Sequence, residues 1–209
     1  MSRPTRWEQA GDDNGYYAET FAELLASGAD VAGEARVADA LLPRGARVLD
    51  AGSGMGRVAA ELQSRGHDVV AVEPDGALVA ASRAAYPGLE VVAADLLDVD
   101  AARLRALGRP EAFDLVVCVG NVLLLTADGT EQAFLDRVAA LLAPGGRVLV
   151  GFHLQGAPEI ARPYPLAAFR EHVAAAGLVV EARFGSYDLR PPREEYAVWV
   201  LARAADGSA

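Results

Sequence analysis

Hydrophobic and polar positions follow two rhythms along this chain. From Arg47 onward, short β-branched runs (RVLDA, DVVAVE, LEVVAA, FDLVVCVG) alternate with alanine- and leucine-rich stretches of helical spacing, such as VAAELQSR and GALVAASRAAY. That alternation predicts βαβ units, and runs apolar on both faces suit a parallel sheet covered on both sides. A helix over 130–142 follows the fourth run, and APGGRVLVGF then supplies a proline–glycine turn of type II and a fifth strand.

The two ends behave differently. Ahead of Arg47, Tyr17, Phe21, Leu24 and Leu25 recur at helical spacing, and a second apolar stripe runs from Val31 to Leu42 before Pro43, so two helices are expected there. After the fifth strand, a helix over 166–176 leads to LVVEARF, the loop GSYDLRPPREE and the closing run YAVWVLAR. A loop of about ten residues is too short for a crossover, so these last two runs should pair antiparallel. The expectation is a single α/β domain over 1–209: a doubly wound, mostly parallel, seven-stranded sheet with one reversed edge strand. It divides into an N-terminal helical cap (1–43), a cofactor-binding half (44–155) and a substrate-side half (156–209). Only the first few residues and the terminal ADGSA are expected to stay outside the fold.

Between the first strand and the first crossover helix stands VLDAGSGMGRVAAEL, with glycines at 52, 54 and 56. A strand, a bare turn and a helix in succession bring backbone N–H groups and a helix N-terminus close to a ligand. Gly52, Gly54 and Gly56 read as GxGxG, while Gly54, Gly56 and Ala59 also satisfy the dinucleotide pattern GxGxxA. The second strand ends on Glu73, where a carboxylate can accept hydrogen bonds from both hydroxyls of a ribose. A nucleoside-containing ligand follows, of either kind.

Composition narrows the chemistry. The formal net charge is −10 and no basic run occurs, which removes the counterion-release attraction that drives nucleic-acid binding. All 19 basic residues are arginine, so neither a P-loop lysine nor a lysine Schiff base is available. The single cysteine, Cys118, lies in an apolar run and reads as a buried hydrophobe; with His67, His153 and His172 scattered, no metal-ligand spacing appears. The opening MSRPTRWEQ carries no signal-peptide pattern and no apolar stretch is long enough to cross a bilayer, so a cytoplasmic protein is expected.

Several motifs together resemble the class I S-adenosylmethionine-dependent methyltransferases over most of the chain. Asp50 closes the first strand in VLDAGSGMG, AADLLDV places Asp95 just past the third, GNVLLL follows the fourth, and LLAPGGRVLV precedes the fifth. The resemblance implies the Rossmann-like methyltransferase fold and S-adenosylmethionine as cofactor. It further implies that Glu73 binds the ribose, that Pro74 and Leu78 flank the adenine, and that Asp95 with the Leu96 N–H meets the adenine edge. Asp50, Gly52, Ser53, Gly54 and Gly56 then hold the methionyl portion, with Gly120 and Asn121 at its far end. Tyr17, in YAETF, resembles the family's N-terminal cap tyrosine.

Transfer from a sulfonium needs chiefly positioning, and a general base only where the acceptor must lose a proton. The acceptor pocket is expected among the loops leaving strands 4, 5 and 6. His153 is the candidate base, and Tyr164, Tyr187 and Arg190 are candidate contacts for a small-molecule acceptor. Asn121 is followed by Val122, Leu123 and Leu124 rather than the proline–proline–aromatic sequence of DNA-adenine and glutamine methylating enzymes, which weakens those acceptors. Two other readings stay open: an NAD(P)-dependent oxidoreductase that uses the GxGxxA glycines, and a cofactor-binding protein without turnover.

Overall fold

The computed structural model describes residues 3–11, 23–24 and 27–204. Seven strands form one sheet: β1 (Arg47–Ala51), β2 (Asp68–Glu73), β3 (Glu90–Ala93), β4 (Phe113–Cys118), β5 (Leu142–His153), β6 (Leu178–Phe184) and β7 (Tyr196–Arg203). Their order is β3-β2-β1-β4-β5-β7-β6, with β1 to β5 parallel. β7 runs antiparallel to β5 and to β6 and lies between them. The reversed strand is therefore internal, and β6 is the edge. Loop length dictated the β6–β7 hairpin, but the apolar run YAVWVLAR, buried from Ala197 to Leu201, is the one that must sit inside. The edge strand β6 instead exposes Val179 and Val180.

Helices cover both faces. On one side α2 (Gly33–Ala40), α3 (Arg57–Ser64) and α4 (Gly76–Ala85) pack Ala35, Val58, Leu62 and Val79 against Val48, Ala71 and Val117. On the other, α5 (Ala101–Ala106), α6 (Val122–Leu125), α7 (Glu131–Ala140) and α8 (Leu166–Ala175) pack Leu104, Leu123, Phe134 and Phe169 against Leu49, Val116 and Trp199. The burial of β1, β2 and β4 on both faces accounts for their continuous apolar runs. Among the described residues no helix is long and apolar enough to cross a membrane.

A further helix, α1 (Arg6–Ala10), lies in the polar opening of the N-terminal cap, where no helix was expected. Its signal is a capping box: the Glu8 N–H donates to Thr5 Oγ1, and the Thr5 N–H donates to the Glu8 carboxylate at 2.7 Å. The expected helix through Tyr17 to Leu25 falls largely outside the described residues.

The chain leaves β1 outward to β2 and β3, then returns to β4 on the other side of β1, so β1 and β4 flank the point where the winding reverses. The glycine turn sits there, tied to the second strand through the Gly52 and Ser53 N–H groups, which donate to the Val72 carbonyl at 2.9 and 3.0 Å. Gly56 then begins α3 with φ 83°, and a Cβ there would stand 2.8 Å from Leu89 and collide with the Ser82 hydroxyl. Gly56→Ala should therefore cost stability twice, through left-handed backbone strain and overpacking, by roughly 2–4 kcal/mol in a denaturant melt; a loss within ~0.5 kcal/mol would contradict this packing.

Candidate active site

At the carboxyl ends of β1, β2 and β4 opens a cavity of about 280 Å³. Asp50, Gly52, Ser53, Gly54, Glu73, Pro74, Leu78, Asp95, Leu96, Gly120 and Asn121 all line it, so one site gathers residues spread over 72 positions of sequence, 50 to 121 inclusive. Gly56 does not; its bareness serves the α3–α4 contact just described. Tyr17 lies outside the described residues.

The two acids at the tips of β1 and β2 are both buried, with side chains in very different states. Glu73 accepts from the Gly54 N–H at 2.9 Å and from the Asp75 N–H at 3.0 Å, which locks the glycine turn to the second strand. Asp50 is hydrogen-bonded by the Ala59 backbone, yet its Oδ2 has no protein partner, and the buried Ser53 hydroxyl has none either. Burial pushes both carboxyls up to about 7; the Arg57 charge and the Ala59 N–H only partly offset that desolvation at Asp50, and the Asp75 and Gly54 N–H groups only partly offset it at Glu73. Asp95 Oδ1 accepts from the Leu97 N–H at 2.8 Å, so this residue caps a short 3-10 turn while also lining the cavity.

Among the lining residues that went unnoticed in the sequence are Glu34, Arg57, Thr5 and Trp7. Arg57 and Glu34 form an ion pair at 2.7 Å beside the glycine turn, and Arg57 also donates to the Val31 carbonyl. Thr5 and Trp7 reach the cavity from α1. Arg57 directly follows the glycine motif, which is a usable signal; Glu34 lies 23 residues earlier with nothing local to mark it.

The candidate acceptor residues are not brought together. Tyr164 is buried among Phe152 and Phe169 on the α8 face, and its hydroxyl sits 2.6 Å from His172 Nδ1. Tyr187 packs on the opposite face, its hydroxyl 3.0 Å from that of Tyr196 and against Gly151. Burial raises the pKa of both phenols, so both stay protonated at neutral pH. Arg190 is exposed. His153 does not line the cavity but stands behind Asn121, which does. Asn121 Oδ1 accepts from the His153 backbone N–H at 2.9 Å and lies 3.0 Å from Nδ1. An amide oxygen only accepts, so Nδ1 carries the proton and Nε2 the lone pair; burial lowers the ring's pKa and keeps it neutral.

A methyltransferase-domain family model matches residues 48–146. A TehB-like S-adenosylmethionine-dependent methyltransferase from Corynebacterium glutamicum is 32% identical, with 91% of this chain and 98% of that one covered, at a TM-score of 0.79. The chain belongs to the S-adenosylmethionine-dependent methyltransferases. The CcbJ methyltransferase of Streptomyces caelestis, 21% identical over 83% of this chain and 89% of its own, shares the fold at a TM-score of 0.69. So does a Burkholderia thailandensis 1,6-didemethyltoxoflavin N1-methyltransferase, solved with that compound and S-adenosylhomocysteine, at 20% identity, 98% and 92% coverage and a TM-score of 0.65. No curated protein sequence matches the chain. The enzyme's cofactor is S-adenosylmethionine, and nothing supports the oxidoreductase alternative. Among the described residues no cluster of acids, histidines or cysteines could hold a metal ion.

The raised carboxyl pKa values have a consequence for the ligand-free protein. Between pH 4 and 7 the folded state holds protons on Asp50 and Glu73 that the unfolded chain has released, so stability from these groups is complete at low pH and is lost as pH rises through 7. Each contributes a slope of up to about 1.4 kcal/mol per pH unit. Subtracting an Asp50→Asn series from wild-type melts cancels the other carboxylates. The difference should show wild type losing ground from pH 5 to 7.5; a difference independent of pH would contradict the burial of an ionisable group there.

Proposed function

We propose that the enzyme methylates a small molecule and that the cavity at the tips of β1, β2 and β4 holds the cofactor. The observation that carries this reading is the unpaired Asp50 Oδ2 and Ser53 Oγ beside a turn whose Gly52 leaves no room for a Cβ: Val122 already stands 2.6 Å from where one would be. Buried polar atoms without partners are rare in native proteins and suit a ligand's donors. S-adenosylmethionine, when bound, supplies a methyl group on a sulfonium whose departing thioether is neutral.

The residues fit that molecule in parts. Glu73 keeps acceptor capacity beyond its two backbone bonds, so it takes the ribose hydroxyls without releasing the glycine turn. Pro74, Leu78 and Leu96 offer apolar walls for the adenine, with Asp95 at its edge. Asp50, with the Arg57–Glu34 pair, matches the opposite charges of an amino-acid ammonium and carboxylate. Gly120 and Asn121 border the end from which an acceptor must approach, and His153, oriented through Asn121, is the base for acceptors that lose a proton. Of the expected acceptor contacts, Tyr164, Tyr187 and Arg190, the first two are sequestered by their own hydrogen bonds, so they shape the walls of the acceptor side without meeting it through free hydroxyls. A small acceptor also accords with the Burkholderia neighbour, which was solved with 1,6-didemethyltoxoflavin bound. The cytoplasmic setting rests on the sequence alone.

Two assays test this. Calorimetry with S-adenosylhomocysteine should show binding that Glu73→Ala weakens by ~2–3 kcal/mol, because two backbone donors and the ribose lose their acceptor; an unchanged affinity would misplace the pocket. Incubating the enzyme with labelled donor and an extract's metabolites should label a small molecule. His153→Gln should slow that turnover about 10²-fold where the acceptor carries an ionisable proton.

A further inference from the structure

The N-terminal segment joins the cavity in a way that no motif announced. Helix α1 has no fully buried residue. It is pinned across the mouth by polar contacts: Arg6 Nε donates to the Ile160 carbonyl at 2.8 Å, Arg6 also pairs with Asp128 at 2.8 Å, and Trp7 Nε1 donates to Asp75 Oδ2 at 2.8 Å. Ile160 belongs to the loop between β5 and α8, whereas Asp75 follows Glu73 and Pro74 and caps α4 through the Ala77 and Leu78 N–H groups. The helix thus bridges the acceptor side and the adenosine side of one opening.

Its tryptophan is the residue that reaches in. Trp7 lines the cavity with Pro74, Leu78, Asp95 and Leu96, and its indole N–H is fixed at the edge of that group by Asp75. We infer that Trp7 is a further cofactor-binding residue, whose ring closes over the adenosine end of the site and whose bond to Asp75 sets its position. A large aromatic placed on a hydrogen-bonded strap supplies a stacking surface for a purine, and base–aromatic stacking is an interaction of substantial size. The inference rests on the cavity being the cofactor's.

Affinity and emission test it together. Trp7→Ala should raise the dissociation constant for S-adenosylhomocysteine by about tenfold or more, while Trp7→Phe, which keeps an aromatic face but loses the N–H bond to Asp75, should fall between wild type and Trp7→Ala. Trp199, the other tryptophan, is wholly buried in β7 and serves as a constant background. Saturation with S-adenosylhomocysteine should therefore change wild-type tryptophan emission and leave that of Trp7→Phe unaltered. Equal affinity in wild type and Trp7→Ala, or an emission change that persists in Trp7→Phe, would overturn the role of Trp7 while leaving the cofactor site in place. A wild-type protein that binds no S-adenosylhomocysteine would bring down the cofactor reading and this inference with it.

Discussion

Two carboxyl groups buried at the tips of neighbouring strands are the constraint from which the rest of the site takes its form. Moving such groups out of water disfavours their charged state, and here it carries both toward neutrality. A fold keeps such groups only where something repays that cost. For Glu73 part of the return is internal, because its two oxygens tie the glycine turn to the start of α4. For Asp50 it is not, since one oxygen has no protein partner at all. That imbalance points to a ligand that carries its own positive charge and hydrogen-bond donors.

The surrounding architecture serves the same end. A parallel sheet whose winding reverses between β1 and β4 leaves a crevice at the strand tips that no crossover helix fills. Bare backbone at Gly52 lets α6 close against the turn through Val122, while Gly56 lets α3 and α4 meet beneath it. Neighbouring glycines of one motif thus do separate jobs, one facing the cavity and the other the core. Past the tip of β4, Asn121 links the cavity to His153 and fixes which ring nitrogen holds the proton.

Most of this architecture was legible in the sequence because it is local. Strand runs, the glycine turn, Glu73 and Asp95 are marked by their immediate neighbours, and the family's motifs add Asp50, Gly120 and Asn121. What escaped is non-local or weakly marked. The place of β7 inside the sheet depends on pairing with β5, which no spacing encodes. Glu34 matters through Arg57, and Trp7 through Asp75, partners distant along the chain. Tyr164 and Tyr187 looked like companions because both leave the same sheet edge, yet they pack on opposite faces, a distinction that loop sequences do not carry. The capping box at Thr5 and Glu8 was readable and marks a helix in a polar stretch where none was expected.

The account turns on Asp50 and Glu73 holding protons near neutral pH when the site is free and being ionised when it is filled. Calorimetric titration with S-adenosylhomocysteine near pH 7, repeated in two buffers of different ionisation enthalpy, measures the protons exchanged on binding. The buried carboxyls predict net proton release that shrinks above pH 8, where both groups are already ionised, and that falls in Asp50→Asn. Binding with no proton exchange, or with uptake, would contradict it.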